Sequence, residues 1–448
     1  MFVPEGLRKI ASMLNAPLYI VGGFVRNQLL WDNCLKTDID ICSSLTPQEV
    51  EERLDRRIKI VPVNPRIGTL KFIIGEEEYE YTCFRRDSYP TNGKHTPNEV
   101  IFVTDICEDA LRRDFTVNAL YCEVSKGEVI DPTGNGLADL KNRLIRTTTT
   151  PNKVFGEDGL RLLRLARFAA ELGFEIEPDT FEAAQKCADR LADIAPERKS
   201  AELDKILYAD KKYDISNAHY KGLVTIGKLG LWKYLIPEME DCIGLSQRED
   251  YHKYDVYNHI LESVRVSPPG IRLTMLLHDI GKPSAITADG NMHRHATIGA
   301  DMANRILNST LRYPKAVTAR TERLIRNHMY DIDGLTGIGK LRVFIQKNYD
   351  IIEDLLEVRE ADGRATGNNY DDKIVNRMRT CFLEMKRKNI PLTVRDLDIN
   401  GIDILELGAI NIELADLLKG VLTQCAKEGR RMTKEEQLDW ALRLLNEK

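Results

Sequence analysis

No two of the nine cysteines stand in a C-x-x-C pair, which argues against a zinc ribbon, and their odd, scattered count does not suggest a disulfide framework. The expected setting is therefore reducing and cytoplasmic. No apolar run is long enough to span a bilayer. The N-terminal stretch MFVPEGLRKIASMLNAP has no basic segment followed by a long apolar core, so neither a signal nor a transit peptide is expected. An excess of positive charge is missing too: the formal net charge is −5 and the pI near 6.0. Any RNA surface must then come from local basic clusters. Lys141 to Arg146, the arginines from Arg161 to Arg167, and Lys386 to Lys388 are the candidates, each of which alone reads more readily as a solvated face. Internal repeats and long low-complexity linkers are absent as well, so junctions in the later part of the chain have few markers.

What is present is 448 residues, 43% hydrophobic and 30% charged, enough for roughly three domains. Strand signals concentrate before about residue 145. Leu18 to Val21 is a short apolar run ended by Gly22 and Gly23, a buried strand delivering the backbone into a turn without side chains. Backbone N–H groups there can approach a triphosphate. Asp38 and Asp40 alternate with Ile39 and Ile41, and on a strand of period two both carboxylates face one way. That face is suited to Mg²⁺, which takes oxygen ligands, and a two-metal site can activate a hydroxyl and stabilise a pyrophosphate leaving group. KIVPV, TLKFII and EYEYTCF read as further strands, with QEVEERLDRR helical between them. Glu78 and Glu80 share a face of the EYEYTCF strand, so either can supply a third catalytic carboxylate, Glu80 being the better choice; an ordinary exposed strand glutamate fits the pattern equally. Beyond the DPTGNG turn at Asp131 the pattern becomes almost wholly helical. The fold class is therefore α+β: a mixed sheet with helices, then an all-α remainder.

Two later segments carry chemistry. LRRDFTVNAL, at 111 to 120, gathers Arg112, Arg113, Asp114 and Asn118. Arg113 can bind a phosphate, and Asp114 can accept a hydrogen bond from a ribose hydroxyl. GEDGLRLLRLARFAAELGF reads as one amphipathic helix ended by Gly173, with Asp158, Arg161 and Arg164 three apart along one stripe. Cytosine and adenine each present an amino donor beside a ring-nitrogen acceptor. A fixed carboxylate and guanidinium would accept these two bases and reject guanine and uracil, replacing a template strand. An ordinary helical salt bridge has the same spacing.

GGFVR with DID, RRDFTVNAL, EDGLRLLRLARF and PERKSAELDKIL, in this order and spacing, resemble the bacterial tRNA nucleotidyltransferase and poly(A) polymerase family, the class II CCA-adding enzymes. The resemblance implies a polymerase β-like nucleotidyltransferase head at 1–145, a neck at 146–212, a helical body containing an HD domain at 213–365 and a tRNA-binding tail at 366–448. It makes Asp38 and Asp40 the Mg²⁺-binding catalytic pair. Gly23 and Arg26 would contact the incoming nucleotide, Arg113 and Asp114 would hold phosphate and ribose, and Asp158 and Arg161 would read the base. Gly22, Asn118, Arg164 and Arg167 complete the implied nucleotide site. Glu197, Arg198 and Glu202 fall in the last motif, which supports the base-reading helix. The family usually has Asp after GGxVR; here it is Asn27, expected to serve as a structural cap. Arg85 to Asn98 is rich in Gly, Pro and polar residues and reads as the family's flexible loop at full length, against CC-only addition. The implied activity is addition of CCA to tRNA 3′ ends from CTP and ATP, with A addition or poly(A) synthesis as the alternative.

A second centre follows. His259, His278, Asp279 in MLLHDIGKP and Asp362 in READGRA resemble the H…HD…D metal pattern of HD-domain phosphohydrolases, with His295 and His328 where fuller members have extra ligands. Imidazole with carboxylate suits a divalent transition metal or Mg²⁺. Either the site is occupied and acts on phosphomonoesters or 2′,3′-cyclic phosphates at RNA ends, or it is a metal-free remnant serving as a tRNA platform. Lys386, Arg387, Lys388 and Arg395 are expected to help hold tRNA through phosphates, a salt-dependent contact.

Overall fold

The computed structural model of the chain describes residues 1–31, 38–55, 58–88, 99–248, 253–287, 291–367 and 370–447, apart from the side chain of Pro65. It forms two compact units, Met1–Pro237 and Glu238–Lys448. No described helix is long and apolar enough to cross a membrane.

The first unit begins with α1 (Glu5–Leu14), β1 (Tyr19–Val21), α2 (Gly23–Leu30), β2 (Asp40–Ser43), α3 (Pro47–Arg53), β3 (Lys59–Asn64), β4 (Thr69–Ile74) and β5 (Glu77–Cys83). Next come β6 (Arg85–Ser88), β7 (Glu99–Phe102), α4 (Ile106–Leu111), β8 (Tyr121–Glu123) and β9 (Val129–Ile130). Seven strands make one mixed sheet in the order β3-β4-β5-β2-β1-β8-β9, in which β2 and β5 run parallel and β1 lies antiparallel to β2 and β8. The expected strands are all present, and the reason is visible in β5: Tyr79, Tyr81 and Cys83 point into the core while Glu78 and Glu80 stay exposed. Phe72 of β4 stacks on Tyr81 at 5.3 Å. α3 starts with a capping box between Thr46 and Glu49 and has Pro47 in its first turn, which together fix its start.

Three expectations need correction. Asp38 is not on the strand: β2 begins at Asp40, opposite Val21, and Gly22, at φ +79°, turns β1 away so that the ladder does not reach residue 38. Arg85–Ser88, read as part of a loop, is β6 and pairs with β7 as an antiparallel hairpin; the rest of that segment, 89–98, lies outside the described residues. The helix expected through Asp158 is broken there. α5 (Gly136–Asn142), β10 (Leu144–Ile145) and α6 (Pro151–Glu157) are followed by extended Asp158 and then by α7 (Leu160–Leu172). A Cβ on Gly159 would collide with the Arg190 carbonyl, so the chain packs too closely there for a continuous helix with a side chain. α7 does end at Gly173, in the left-handed region at φ +65°. The helical run is also interrupted by β11 (Glu175–Ile176), parallel to β10, before α8 (Pro178–Lys186), α9 (Pro196–Leu207), α10 (Ala209–Tyr213) and α11 (Ala218–Lys228).

The second unit is helical. Val256–Val266, Arg272–Leu277, His295–Arg305, Lys315–Asn327 and Ile352–Arg364 are helices that carry or flank the histidine cluster. Towards its C-terminus Leu397, Ile404, Leu417, Val421, Cys425 and Ala441 form a core of their own. Lys386, Arg387, Lys388 and Arg395 are exposed, although Lys386 pairs with Glu353 at 3.1 Å.

Because the break before α7 leaves no room at residue 159, Gly159→Ala should cost about 1–3 kcal/mol of stability, as overpacking usually does. A lower thermal unfolding midpoint would report it; an unchanged midpoint would mean that the Arg190 backbone yields freely.

Candidate nucleotide-binding site

A cavity of about 630 Å³ opens in the first unit, lined by Gly22, Gly23, Arg26, Asn27, Asp38, Asp40, Arg112, Arg113, Asp114, Asn118, Asp158, Arg161, Arg164, Arg167, Arg198 and their neighbours. Nine lining residues are Lys or Arg and four are Asp, so the pocket suits a polyanion although the whole chain is net negative. Every nucleotide-binding residue expected from the sequence lines it. So do Arg112, Phe168, Lys205, Lys212 and Tyr213, none of which was expected to bind nucleotide. Phe168 follows Arg164 by four, a spacing that marks one helix face; for Tyr213 no sequence signal existed.

The acidic end is built by strand register. Asp40 stands opposite Glu80 in the parallel β2–β5 pair, which supports the choice of Glu80 over Glu78, whose carboxylate is tied to Lys71 at 2.8 Å. Glu80 is not part of the pocket lining. Asp40 is open on the cleft side yet crowded by protein, and its carboxyl is pushed up to about 6 by burial and by Glu80 and Asp38, against the pull of Arg113 and Arg164. A carboxylate held in this state gains from a divalent cation, so the donor set fits one, although the three carboxylates do not converge within 4.8 Å. A methyl group on Gly22 would stand 4.0 Å from both Arg113 Nη1 and Asp40 Oδ2. Only a glycine keeps this gap open at φ +79°.

The basic wall is a set of guanidinium groups, buried at Arg26, Arg161 and Arg167 and half-buried at Arg112, Arg113 and Arg164. Arg164 donates from Nε to Asp114 Oδ2 at 2.7 Å, while Asp114 Oδ1 accepts from Phe115 N at 2.8 Å and Asn118 Nδ2 at 3.3 Å. Arg167 is held between Glu202 at 2.7 Å and Glu171 at 3.0 Å. Three guanidinium groups surround the Phe168 ring: Arg167 at 4.0 Å, Arg164 at 5.2 Å and Arg26 at 5.4 Å from its centroid. Far from being a solvated face, the run from Arg161 to Arg167 buries Arg161 and Arg167 and leaves Arg164 half-buried on the cavity. Arg146, in another of the basic clusters, is likewise tied to Asp139 and Glu177.

Arg161 does not lie along an open stripe. Its Nη1 donates to Val154 O and Glu157 Oε2, both at 3.0 Å, and its Nη2 to Arg112 O at 2.7 Å. Asp158 accepts from Leu160 N at 3.0 Å and pairs with Arg198 at 3.2 Å. Asn27 is not a cap either. It is buried within α2, where its Oδ1 accepts from Arg26 Nε at 3.1 Å and Nη2 at 2.9 Å, and its Nδ2 donates to Tyr213 Oη at 3.1 Å. Arg26 also donates to Asn118 Oδ1 and to Tyr213 Oη, the latter at 3.0 Å, and the Tyr213 ring stacks on Trp31 at 4.8 Å.

The second unit holds its own cluster. Ligand atoms of His259, His278, Asp279 and Asp362 lie within 4.8 Å of one another, and Asp279, His295 and His328 form an adjoining set that shares Asp279. His259 Nε2 is 2.9 Å from Asp362 and 3.3 Å from Asp279. His278 Nδ1 bonds Met275 O at 2.7 Å, which turns Nε2 inward. Neither that Nε2 nor Asp279 Oδ2 has a hydrogen bond of normal geometry, although Lys282 Nζ stands 2.5 Å from the carboxylate oxygen. Burial lowers the His278 pKa, but the two carboxylates outweigh it and raise the imidazole to about 10. An imidazole nitrogen and a carboxylate oxygen buried without a normal hydrogen bond, among further His and Asp ligand atoms, suit a divalent cation.

Residues 18–146 match the family described as poly A polymerase head domain, 173–243 the "Probable RNA and SrmB- binding site of polymerase A", and 256–370 the HD domain. The chain is 41% identical over 192 residues to the CCA-adding enzyme of Streptococcus suis, covering 43% of this chain and 46% of that one. It is 39% identical over 223 residues to that of Levilactobacillus brevis, covering 50% and 52%. The chain thus spans about half the length of the curated relatives it matches. In fold it is similar to the Bacillus stearothermophilus CCA-adding enzyme in complex with CTP, with a TM-score of 0.66 at 23% identity over 99% of this chain and 96% of that one. It also resembles the Thermotoga maritima CCA-adding enzyme complexed with tRNA, with a TM-score of 0.58 at 20% identity over 98% and 94%.

Tyr213→Phe should keep the stack on Trp31 while removing a hydroxyl that serves both Arg26 and Asn27. A loss of about 1–3 kcal/mol is expected for the buried groups left short of a partner, measured by denaturant unfolding; no loss would mean that water replaces the hydroxyl.

Proposed function

Since the chain carries a poly A polymerase head domain, a polymerase-A RNA-binding segment and an HD domain, we propose that it adds CCA to tRNA 3′ ends from CTP and ATP without a template. The observation that carries this reading is the pocket itself: a carboxylate-bearing strand, a glycine turn and an arginine wall around one cavity. The tRNA 3′ oxygen forms a bond to the α-phosphorus, the bond from that phosphorus to the bridging oxygen breaks, and pyrophosphate leaves. Asp38 and Asp40, with Glu80 beside them, would hold Mg²⁺, which neutralises phosphate charge and lowers the pKa of the attacking hydroxyl when bound. Gly22 and Gly23 leave room for the triphosphate, and Arg26 and Arg113 offer it positive charge. Asp114 with Asn118 would meet the ribose. Asp158 and Arg161 would read the amino group and ring nitrogen shared by C and A, with Arg164 and Arg167 fixing the wall behind them. The head at 1–145, neck at 146–212, HD body at 213–365 and tail at 366–448 divide this work, with Lys386, Arg387, Lys388 and Arg395 of the tail on tRNA phosphates. A cytoplasmic home suits a tRNA substrate. A-only addition or poly(A) synthesis would use the same pocket.

The converging histidines and carboxylates favour a second reading for the other unit: a metal-dependent phosphohydrolase acting on RNA ends, with His259, His278, Asp279 and Asp362 as ligands.

Labelled CTP and ATP offered with tRNA transcripts ending before CCA, after C and after CC should give ordered addition that stops at CCA. Extension of the CC-ended transcript alone would mean A addition, and long A tails a poly(A) polymerase. Asp40→Ala should reduce incorporation to background while hydrolysis of 2′,3′-cyclic phosphate continues. His278→Ala with Asp279→Ala should do the reverse and lower the metal content measured by elemental analysis; unchanged metal content would remove the HD reading.

A further inference from the structure

Resting on the reading of the pocket as a nucleoside triphosphate site, we infer that Asp109 is a positioning residue that aims Arg113 at the phosphates. Asp109 lies on α4, outside the pocket lining, and is completely buried. Its Oδ2 accepts from Arg113 Nη2 at 3.0 Å and Nε at 3.3 Å, and from Tyr121 Oη at 2.6 Å. Its Oδ1 accepts from Arg112, with Nε at 2.8 Å and Nη2 at 2.7 Å. A guanidinium held by its Nε–Nη2 edge has one fixed direction left, and that direction carries Nη1. In Arg113 this free end faces the gap at Gly22, opposite Asp40. The carboxylate therefore cancels charge on the buried side of the arginine and leaves a donor on the cavity side.

The same carboxylate reaches the β6–β7 hairpin. Its Oδ1 lies 3.4 Å from the Arg85 N–H, Arg86 pairs with Glu108 at 3.0 Å, and Arg112 Nη1 is 3.9 Å from Asp87. The hairpin is thus tied to the same carboxylate that holds Arg113 at Gly22. Tyr121, which both donates to Asp109 and accepts from Arg113 Nε at 2.9 Å, closes the arrangement on the β8 side.

The test is a pair of binding titrations, CTP and cytidine, on the full chain as wild type, Asp109→Asn, Asp109→Glu, Arg113→Ala and the double variant Asp109→Asn/Arg113→Ala. Asp109→Asn is expected to weaken CTP binding at least tenfold and cytidine binding less than twofold. Asp109→Glu retains the charge but moves it by one methylene, and is expected to weaken CTP selectively as well. In the Arg113→Ala background Asp109→Asn should add less than a twofold further loss. Equal losses for CTP and cytidine, an unchanged CTP affinity, or additive losses in the double variant would each overturn the inference. Should Asp109→Asn fail to fold, Asp109→Glu decides by the same ratio. Wild-type chain that binds neither ligand would overturn the nucleotide reading itself and this inference with it, an outcome distinct from wild type binding CTP with the variants unaffected.

Discussion

A cavity crowded with arginines can exist in a folded protein only if their charge is balanced where water cannot reach it. Isolated buried guanidinium groups are costly, and removing one partner of a buried pair leaves the other uncompensated. Here the balance is local and graded. Arg167 sits between two carboxylates, Arg164 shares one with a backbone and an amide donor, and Arg113 with Arg112 shares Asp109. Arg167 is therefore paired on both sides, whereas Arg113 keeps a donor on the cavity side. Such pairing lets a chain of net charge −5 present a basic pocket.

The sheet makes the opposite arrangement at the other end of the cavity. Parallel pairing of β2 with β5 brings Asp40 beside Glu80, and Asp38 follows just before the strand, so like charges accumulate where the backbone leaves them no alternative. Burial first, and then the repulsion of Glu80 and Asp38, raise the Asp40 carboxyl. Positive and negative walls thus face each other across the Gly22 turn, and the gap between them has the polarity of a phosphate chain with its counter-ion. The second unit gathers like charges in the same way: Asp279 and Asp362 raise the His278 imidazole against the pull of burial, in a ligand set that suits a cation.

Much of this was readable in advance for a physical reason. Period-two alternation and a glycine pair report local geometry, so the strands and the turn could be read from neighbouring residues, although the same alternation puts Asp38 on a strand that begins only at Asp40. An adjacent His-Asp pair in a histidine-rich stretch is equally local, although the cluster it completes joins His259 to Asp362, 103 residues away. The failures share the opposite cause. Whether an arginine is solvated or interior depends on partners such as Asp114 for Arg164, 50 residues distant, or Glu202 for Arg167, 35 distant. The break at Asp158 depends on the Arg190 backbone passing against Gly159, a contact no helical periodicity encodes.

Asn27 brings these strands of argument together. The family resemblance makes it a cap in place of the usual Asp; in the structure it is the amide that orients Arg26, with Tyr213 from 186 residues away fixing the amide in turn. An amide oxygen accepts from a guanidinium as a carboxylate does but returns no negative charge. Among the described residues, Arg26 accordingly bonds only Asn27, Asn118 and Tyr213, all neutral acceptors, and burial pulls its pKa below the ordinary arginine value. Arg26 is thus the wall's least compensated charge, and it stands at the start of α2 beside the glycine turn. A group in that state is stabilised by an arriving anion more than any paired arginine would be, because the anion supplies a countercharge the fold has withheld.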